Sequence, residues 1–397
     1  MRQLRRFLVL LLCLTLLSGC ASARQPEPTP EPTPCPHGAW EDGVCTLCGE
    51  SCAHPAWQDG VCTVCGLRCE HPAWQDGVCT ICGWSCPHEA HGQDGRCLLC
   101  GTVLRHVYVA GRCACGAEPQ VYDEVLPDRY YEPCPHEGSI QALSYSVEWG
   151  GYTRHLLLYL PYGYDPHEQY NVLILLHGTG DDETAWLTAE HYVPNRIMQV
   201  HTIFDWMIEE ELIPPLIIVS LRLYEDYGAY PGDPGEERLG RELREIVLPY
   251  LAEHYGTYAA GSDFEQLSAA RQHVVLGGLS WGAYFTFASG MRHNLPLIGG
   301  FICLSGSDSA DLVYQSINAP GQASFPIYLY YAAAGEQDFA RDGSFATFRY
   351  LVDNTPRLVE GQNAFLHECH GAHTWNVWST EMFNALQLAF VDQAPTS

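Results

Sequence analysis

The sequence predicts an α/β architecture, with a mostly parallel central sheet flanked by helices, preceded by small metal-stapled Cys/His repeats. Apolar, β-branched runs of strand length recur from roughly Gly138 to Ser397, with amphipathic helical stretches between them, the pattern of strands buried on both faces. One of these runs passes through Gly277-Gly278-Leu279-Ser280-Trp281-Gly282 into a helical stretch, a sharp strand-to-helix turn. Most of the cysteines are instead gathered before residue 137, in a recurring frame with histidine.

The elements follow in chain order. Met1 to Arg6 carries three arginines, and Phe7 to Leu17 is an apolar run too short to span a bilayer. It ends at Leu17-Ser18-Gly19-Cys20, small residues before a cysteine. This is the pattern of a secretory signal, and the cysteine resembles a bacterial lipobox. Residues 1–20 are therefore expected to be a lipoprotein signal peptide with Cys20 lipidated; the alternative is a plain signal peptide with an incidental cysteine. The lipid would hold the protein on the extracellular face of the bacterial cell membrane, its only membrane contact, since no later segment is long and apolar enough to cross. Residues 21–34 alternate proline from Gln25 to Pro34, which favours an extended polyproline II spacer.

Residues 35–137 hold an internal repeat with a period near 17 residues. Its frame is Cys-x-His, a tryptophan-containing Asp-Gly turn, then Cys-x-x-Cys. The copies are Cys35, His37, Cys45 and Cys48; Cys52, His54, Cys62 and Cys65; Cys69, His71, Cys79 and Cys82; and Cys86, His88, Cys97 and Cys100. Cys113, Cys115, Cys134 and His136 form a degenerate fifth set. Three thiolates and one imidazole complete a closed tetrahedral zinc site, structural rather than catalytic. Disulfides are the competing reading for a secreted, cysteine-dense segment, but they leave the recurring histidine without a role. A frame shifted by half a repeat, such as Cys45, Cys48, Cys52 and His54, would strand Cys35 and His37.

Residues 138–397 are long enough for one complete catalytic domain. Strands are expected over Arg154–Leu160, Asn171–His177, Leu216–Leu221, Gln272–Leu276, Pro326–Tyr331 and Ala364–Glu368. Helices are expected over Ile203–Leu212, Glu236–His254, Ala283–Ala288 and Trp375–Phe390. The G-x-S-x-G turn places Ser280 where an α/β-hydrolase keeps its nucleophile, with Gly278 and Gly282 permitting the turn. The base and its orienting carboxylate follow in the order Ser, Asp, His for this fold. Asp338 lies just past one strand end and competes with Glu336 and Asp342. His373 lies on the loop before the last helix and competes with His370 and, less seriously, with the strand residue His367. Two backbone donors are expected to form an oxyanion hole, the N–H of Trp281 and that of Thr179, with Gly178 close behind. His177 reads as structural.

From about Tyr145 onward the sequence resembles the esterase D and feruloyl esterase family of α/β-hydrolases, which includes carbohydrate esterases of family one. The matching pieces are Tyr159-Leu160-Pro161-Tyr162-Gly163-Tyr164, Leu175-Leu176-His177-Gly178, Gly278-Leu279-Ser280-Trp281-Gly282, Gly335-Glu336-Gln337-Asp338 and Gly371-Ala372-His373-Thr374-Trp375-Asn376-Val377-Trp378. The resemblance implies Ser280 as nucleophile, His373 as base and acid, Asp338 as orienter and no cofactor for catalysis. It also implies ester-substituted polysaccharide or oligosaccharide as substrate, feruloylated arabinoxylan in particular. Acetyl xylan or other short-chain esters, siderophore esters, acyl transfer, and a purely polysaccharide- or partner-binding role stay open. Two departures stand out: Trp281 stands where feruloyl esterases usually carry methionine, and Leu304-Ser305-Gly306-Ser307 replaces a more alanine-rich stretch. The formal net charge of −27 argues against nucleic acid as a partner.

Overall fold

The computed structural model describes residues 120–223 and 235–390, together with short stretches between residues 39 and 113. The signal peptide with Cys20, the proline-rich spacer, Cys35, His37, Cys48, His71, Cys86, His88, Cys100 and Cys115 lie outside the described residues. Contacts divide the chain into two units, Met1–Ser85 and Cys86–Ser397. Among the described residues no helix is long and apolar enough to cross a membrane.

In the first unit the repeat is a two-stranded hairpin made three times in the same register. Trp40 pairs with Cys45, Trp57 with Cys62 and Trp74 with Cys79. The two residues joining each pair of strands are Asp-Gly, a dipeptide suited to the tight turns that close such hairpins.

The second unit is built on eight strands: β1 (Ser139–Val147), β2 (Tyr152–Leu160), β3 (Asn171–Leu176), β4 (Leu216–Leu221), β5 (Val274–Leu279), β6 (Gly300–Leu304), β7 (Leu329–Gly335) and β8 (Ala364–Cys369). They are ordered 8-7-6-5-3-4-2-1 across the sheet. β2 pairs antiparallel with both β1 and β4, and every other neighbouring pair is parallel. Alternate side chains feed two cores. Val172, Ile174 and Leu176 join one with Leu239, Leu248 and Phe348, while Leu173 and Leu175 join the other with Phe204, Met207 and Phe383. The central strands are buried on both faces, which explains their unbroken apolar sequence.

The helices that matter for the site are α1 (His201–Glu209), α2 (Gly235–Glu242), α3 (Leu248–His254), α4 (Trp281–Phe285), α5 (Arg341–Asn354) and α6 (Trp375–Leu386). Several depart from the expected bounds. The helix expected over Glu236–His254 is interrupted by a π turn at Leu243–Val247. That turn follows Glu242, whose buried carboxylate accepts hydrogen bonds from Arg154, Tyr145 and Tyr152. β7 begins three residues later than expected and runs through Ala332, Ala333 and Ala334; central burial overrides the weak strand preference of alanine. β1 carries mostly exposed or half-buried side chains, so it lacks the apolar run that marked the inner strands.

The expected division at residue 137 does not coincide with the change in packing. Leu126 and Tyr130 are buried in the core beside α6, and the Tyr130 ring meets Phe383 edge-on at 5.2 Å. Asp123 and Asn384 exchange two hydrogen bonds of 2.9 Å. These anchors are isolated in a polar stretch, so no periodicity announced them. Cys134 is buried here, and His136 pairs with Glu209 at 2.8 Å.

Candidate active site

The sheet order reverses direction between β3 and β5, the position where open α/β sheets form a crevice beyond their strand ends. Ser280 sits there, between the last residue of β5 and the first of α4. Its backbone is left-handed, with φ 53° and ψ −114°, a strained conformation for a residue with a side chain. The turn is held by the Ser280 N–H, which donates to the Leu304 carbonyl at 2.8 Å. It also requires its glycines. A Cβ on Gly282 would overlap the Leu176 and His177 carbonyl oxygens, and one on Gly278 would overlap the Gly282 backbone.

The loops after β7 and β8 bring the other partners. His373 Nε2 lies 3.0 Å from Ser280 Oγ, and His373 Nδ1 lies 2.8 and 3.0 Å from the two Asp338 oxygens. The rivals are elsewhere. His370 is exposed and paired with Glu336 at 2.7 Å, and Asp342 is exposed on Arg341. His367 is tied to the buried Glu381 at 2.9 Å.

Asp338 has no exposed side-chain surface. Burial alone would raise its carboxyl, but hydrogen bonds from His373, Ser305 and the Ala340 N–H outweigh burial and hold it below the usual carboxylate range. Ser305 is a participant the sequence did not reveal. It follows β6 directly in a left-handed conformation (φ 52°), is buried, and its Oγ accepts the Trp378 indole N–H at 2.8 Å. An indole nitrogen can only donate, so the Ser305 proton is left for Asp338. Trp378 also sets its ring perpendicular to His373 at 4.9 Å. The sequence departure at 304–307 thus lies behind the carboxylate, whereas Trp281 lies at the surface, 37% exposed and stacked on Tyr284 at 4.7 Å.

The β3 loop completes the site. His177 is fully buried; its Nδ1 donates to the Gly178 carbonyl at 2.8 Å and its Nε2 accepts the Leu223 N–H at 3.0 Å. Burial lowers its pKa, and the neutral ring serves as a brace for the loop, as expected. A Cβ built on Gly178 would lie 3.5 Å from Ser280 Cβ, which sets the start of the Thr179 loop against the nucleophile. Trp281 opens α4, and the first N–H groups of a helix have no intrahelical acceptor. Phe339, 82% exposed, lies with its ring 4.3 Å from that of His373; as one exposed aromatic among many it gave no signal in the sequence. Trp186 is buried, with its indole N–H on the Leu176 carbonyl at 3.0 Å.

Cys303 and Cys369 are buried free thiols, placed on β6 and β8 with β7 between them. Burial raises the pKa of both, which keeps them protonated and unreactive. Of the predicted metal ligands, Cys52, His54, Cys62 and Cys65 converge, as do Cys69, Cys79 and Cys82. Cys45 and Cys97 are buried.

The "Esterase" family matches residues 150–295. Endo-1,4-beta-xylanase Y of Acetivibrio thermocellus is 28% identical over 286 residues, which are 69% of this chain. The chain spans about a quarter of that protein's length, 25%. A serine-to-alanine mutant of the feruloyl esterase module from Clostridium thermocellum, complexed with sinapinate, superimposes with a TM-score of 0.61 at 26% identity, covering 70% of this chain and 97% of that one. A ferulic acid esterase from the anaerobic fungus Anaeromyces mucronatus shares the fold, with a TM-score of 0.54 at 20% identity over 69% of this chain and 98% of that one. With its eight-stranded sheet and the serine turn at the end of β5, the second unit has the α/β-hydrolase fold, and the chain is similar there to esterases and to a feruloyl esterase module.

Proposed function

We propose that the protein releases hydroxycinnamic acids such as ferulate from esterified plant cell-wall polysaccharide, xylan in particular, while anchored by Cys20 to the outer face of the cell membrane. The observation that carries the chemistry is the hydrogen-bonded line from Ser280 Oγ through His373 to Asp338. Because Nδ1–H of His373 is given to Asp338, Nε2 is free to take the Ser280 proton. Ser280 then attacks the ester carbonyl, and the oxyanion is held by the N–H groups of Trp281 and Thr179. The alcohol leaves with the proton from Nε2. Water, deprotonated by the same nitrogen, attacks the acyl-enzyme, and the acid departs as the Ser280 hydroxyl is restored.

Two observations support an aromatic acyl group. Trp281 and Phe339 both carry exposed rings, Trp281 on the residue after the nucleophile and Phe339 with its ring 4.3 Å from that of His373, and flat apolar walls suit a planar phenolic acid. The similar module from Clostridium thermocellum is described with sinapinate bound. The test is hydrolysis of methyl ferulate, methyl sinapate and acetylated xylan by the wild type and by Ser280→Ala. Serine-dependent release of the phenolic acids is expected. Activity confined to acetylated xylan would move the substrate class, and transfer of the acyl group to an added alcohol in preference to water would replace hydrolysis by transfer.

A further inference from the structure

We infer that Cys52, His54, Cys62 and Cys65, the ligands of one Cys/His repeat, hold one Zn²⁺ as a self-contained site. This is independent of the esterase reading. The four ligand atoms all lie within 4.8 Å of one another. A tetrahedral Zn²⁺ with bonds of about 2.3 Å to sulfur and about 2.0 Å to nitrogen separates its ligands by about 3.8 Å (S···S) and about 3.5 Å (N···S). The Cys52 and Cys62 sulfurs are 3.8 Å apart, and the Cys65 sulfur is 3.4 Å from His54 Nδ1. A disulfide would need about 2.05 Å between sulfurs. The next repeat reproduces the spacing, with Cys69 and Cys79 sulfurs 3.8 Å apart and Cys82 beside them. The sequence puts His71 at the same place in that frame as His54.

Three further features belong to a metal site. His54 has φ 48°, strain that persists only where the surroundings fix it. Its N–H donates to the Cys52 sulfur at 3.4 Å, and the N–H groups of Val64 and Cys65 donate to the Cys62 sulfur, the outer-shell bonds that orient thiolate ligands. Trp57 stacks over the His54 ring at 5.2 Å and fixes its plane. The repeats also turn their aliphatic residues outward, Leu47, Val64 and Ile81 being 66%, 46% and 50% exposed, while Cys45, Cys62 and Cys79 are each 1% exposed. The thiols are the interior. Among the described residues of the repeats the buried side chains are chiefly these thiols, and metal binding then supplies the folding free energy of so small a segment.

The test uses the full chain, expressed with zinc supplied. Elemental analysis is expected to show bound zinc, and alkylation of the denatured, unreduced protein is expected to label the repeat thiols. Cys52→Ser combined with Cys65→Ser then decides the frame. Both residues belong to one site as assigned, so one equivalent of zinc is lost. In the half-shifted frame they belong to two sites, and two equivalents are lost. The far-UV circular dichroism spectrum, dominated by the sheet and helices of the second unit, is expected to be unchanged, which reports that this unit is folded. Zinc-free wild type with thiols labelled only after reduction, a loss of two equivalents, or loss of all the zinc would each overturn the assignment.

Discussion

Replacing Ser305 by alanine should slow hydrolysis without weakening substrate binding. Ser305 is buried, and it passes a hydrogen bond from Trp378 to the Asp338 carboxylate. A hydrogen bond to a charged group contributes about 1.5–3 kcal/mol. Asp338 keeps two donors in the variant, His373 and the Ala340 N–H at 2.7 Å, so the lower part of that range applies. At about 1.4 kcal/mol per tenfold in rate, kcat should fall roughly 10- to 30-fold with KM unchanged. The Trp378 N–H, left buried without its acceptor, should separately cost about 1–3 kcal/mol of stability. Trp378→Phe breaks the same hydrogen bond from the donor side: it lowers Tm but leaves the Ser305 proton on Asp338, and kcat should change no more than about threefold. Losing the Ser305 donor also lets the Asp338 carboxyl rise toward its ordinary value, so the acid limb of kcat/KM should move to higher pH. Steady-state kinetics on methyl ferulate across pH, with Tm measured in parallel, provides the data. Wild-type kcat in Ser305→Ala, or a drop matched by Trp378→Phe, would refute the reasoning.

Asp338→Asn should reduce kcat on the order of 10³- to 10⁴-fold by removing the charge that orients and supports His373, with an unchanged circular dichroism spectrum. Gly282→Ala forces a Cβ into the Leu176 and His177 carbonyls and should destabilise by about 2–3 kcal/mol or prevent folding; an unaltered Tm would contradict the packing described. His367 links the core to the segment before β1, through Glu381 at 2.9 Å, Glu124 at 3.5 Å and a stacked Tyr122. Burial alone would lower its pKa, yet the two carboxylates raise it above the ordinary value, so its charge stabilises fully below about pH 6.5. That contribution fades as pH rises through the folded pKa, and His367→Gln should therefore lower Tm more at about pH 6 than at about pH 9; equal losses would remove the charge from the account.

Ser280, Asp338 and His373 were legible because each stands at a strand end inside a local signature. The glycines around Ser280 report a backbone turn, and the loops after β7 and β8 are short enough to place the other two from sequence. Ser305 was not legible, because its role arises only when the end of β6, the loop after β7 and α6 meet. No spacing along the chain encodes that meeting. Phe339 and the docking segment at Leu126 and Tyr130 escaped for a related reason, as single apolar residues without periodicity. The chain order of the strands was readable, but their order across the sheet was not, since β3 and β5 become neighbours only through long-range pairing.

The packing of Gly282 against the ends of β3 fixes more than a turn. The first donor expected for the oxyanion stands on α4 and the second on the β3 loop, and this backbone-to-backbone contact sets the distance between those two elements. The geometry expected for charge stabilisation is therefore written in the main chain, whereas the walls proposed for the acyl group, Trp281 and Phe339, are side chains. Mutational drift can repaint those walls and retune which acid is released while the ruler beneath them keeps its length.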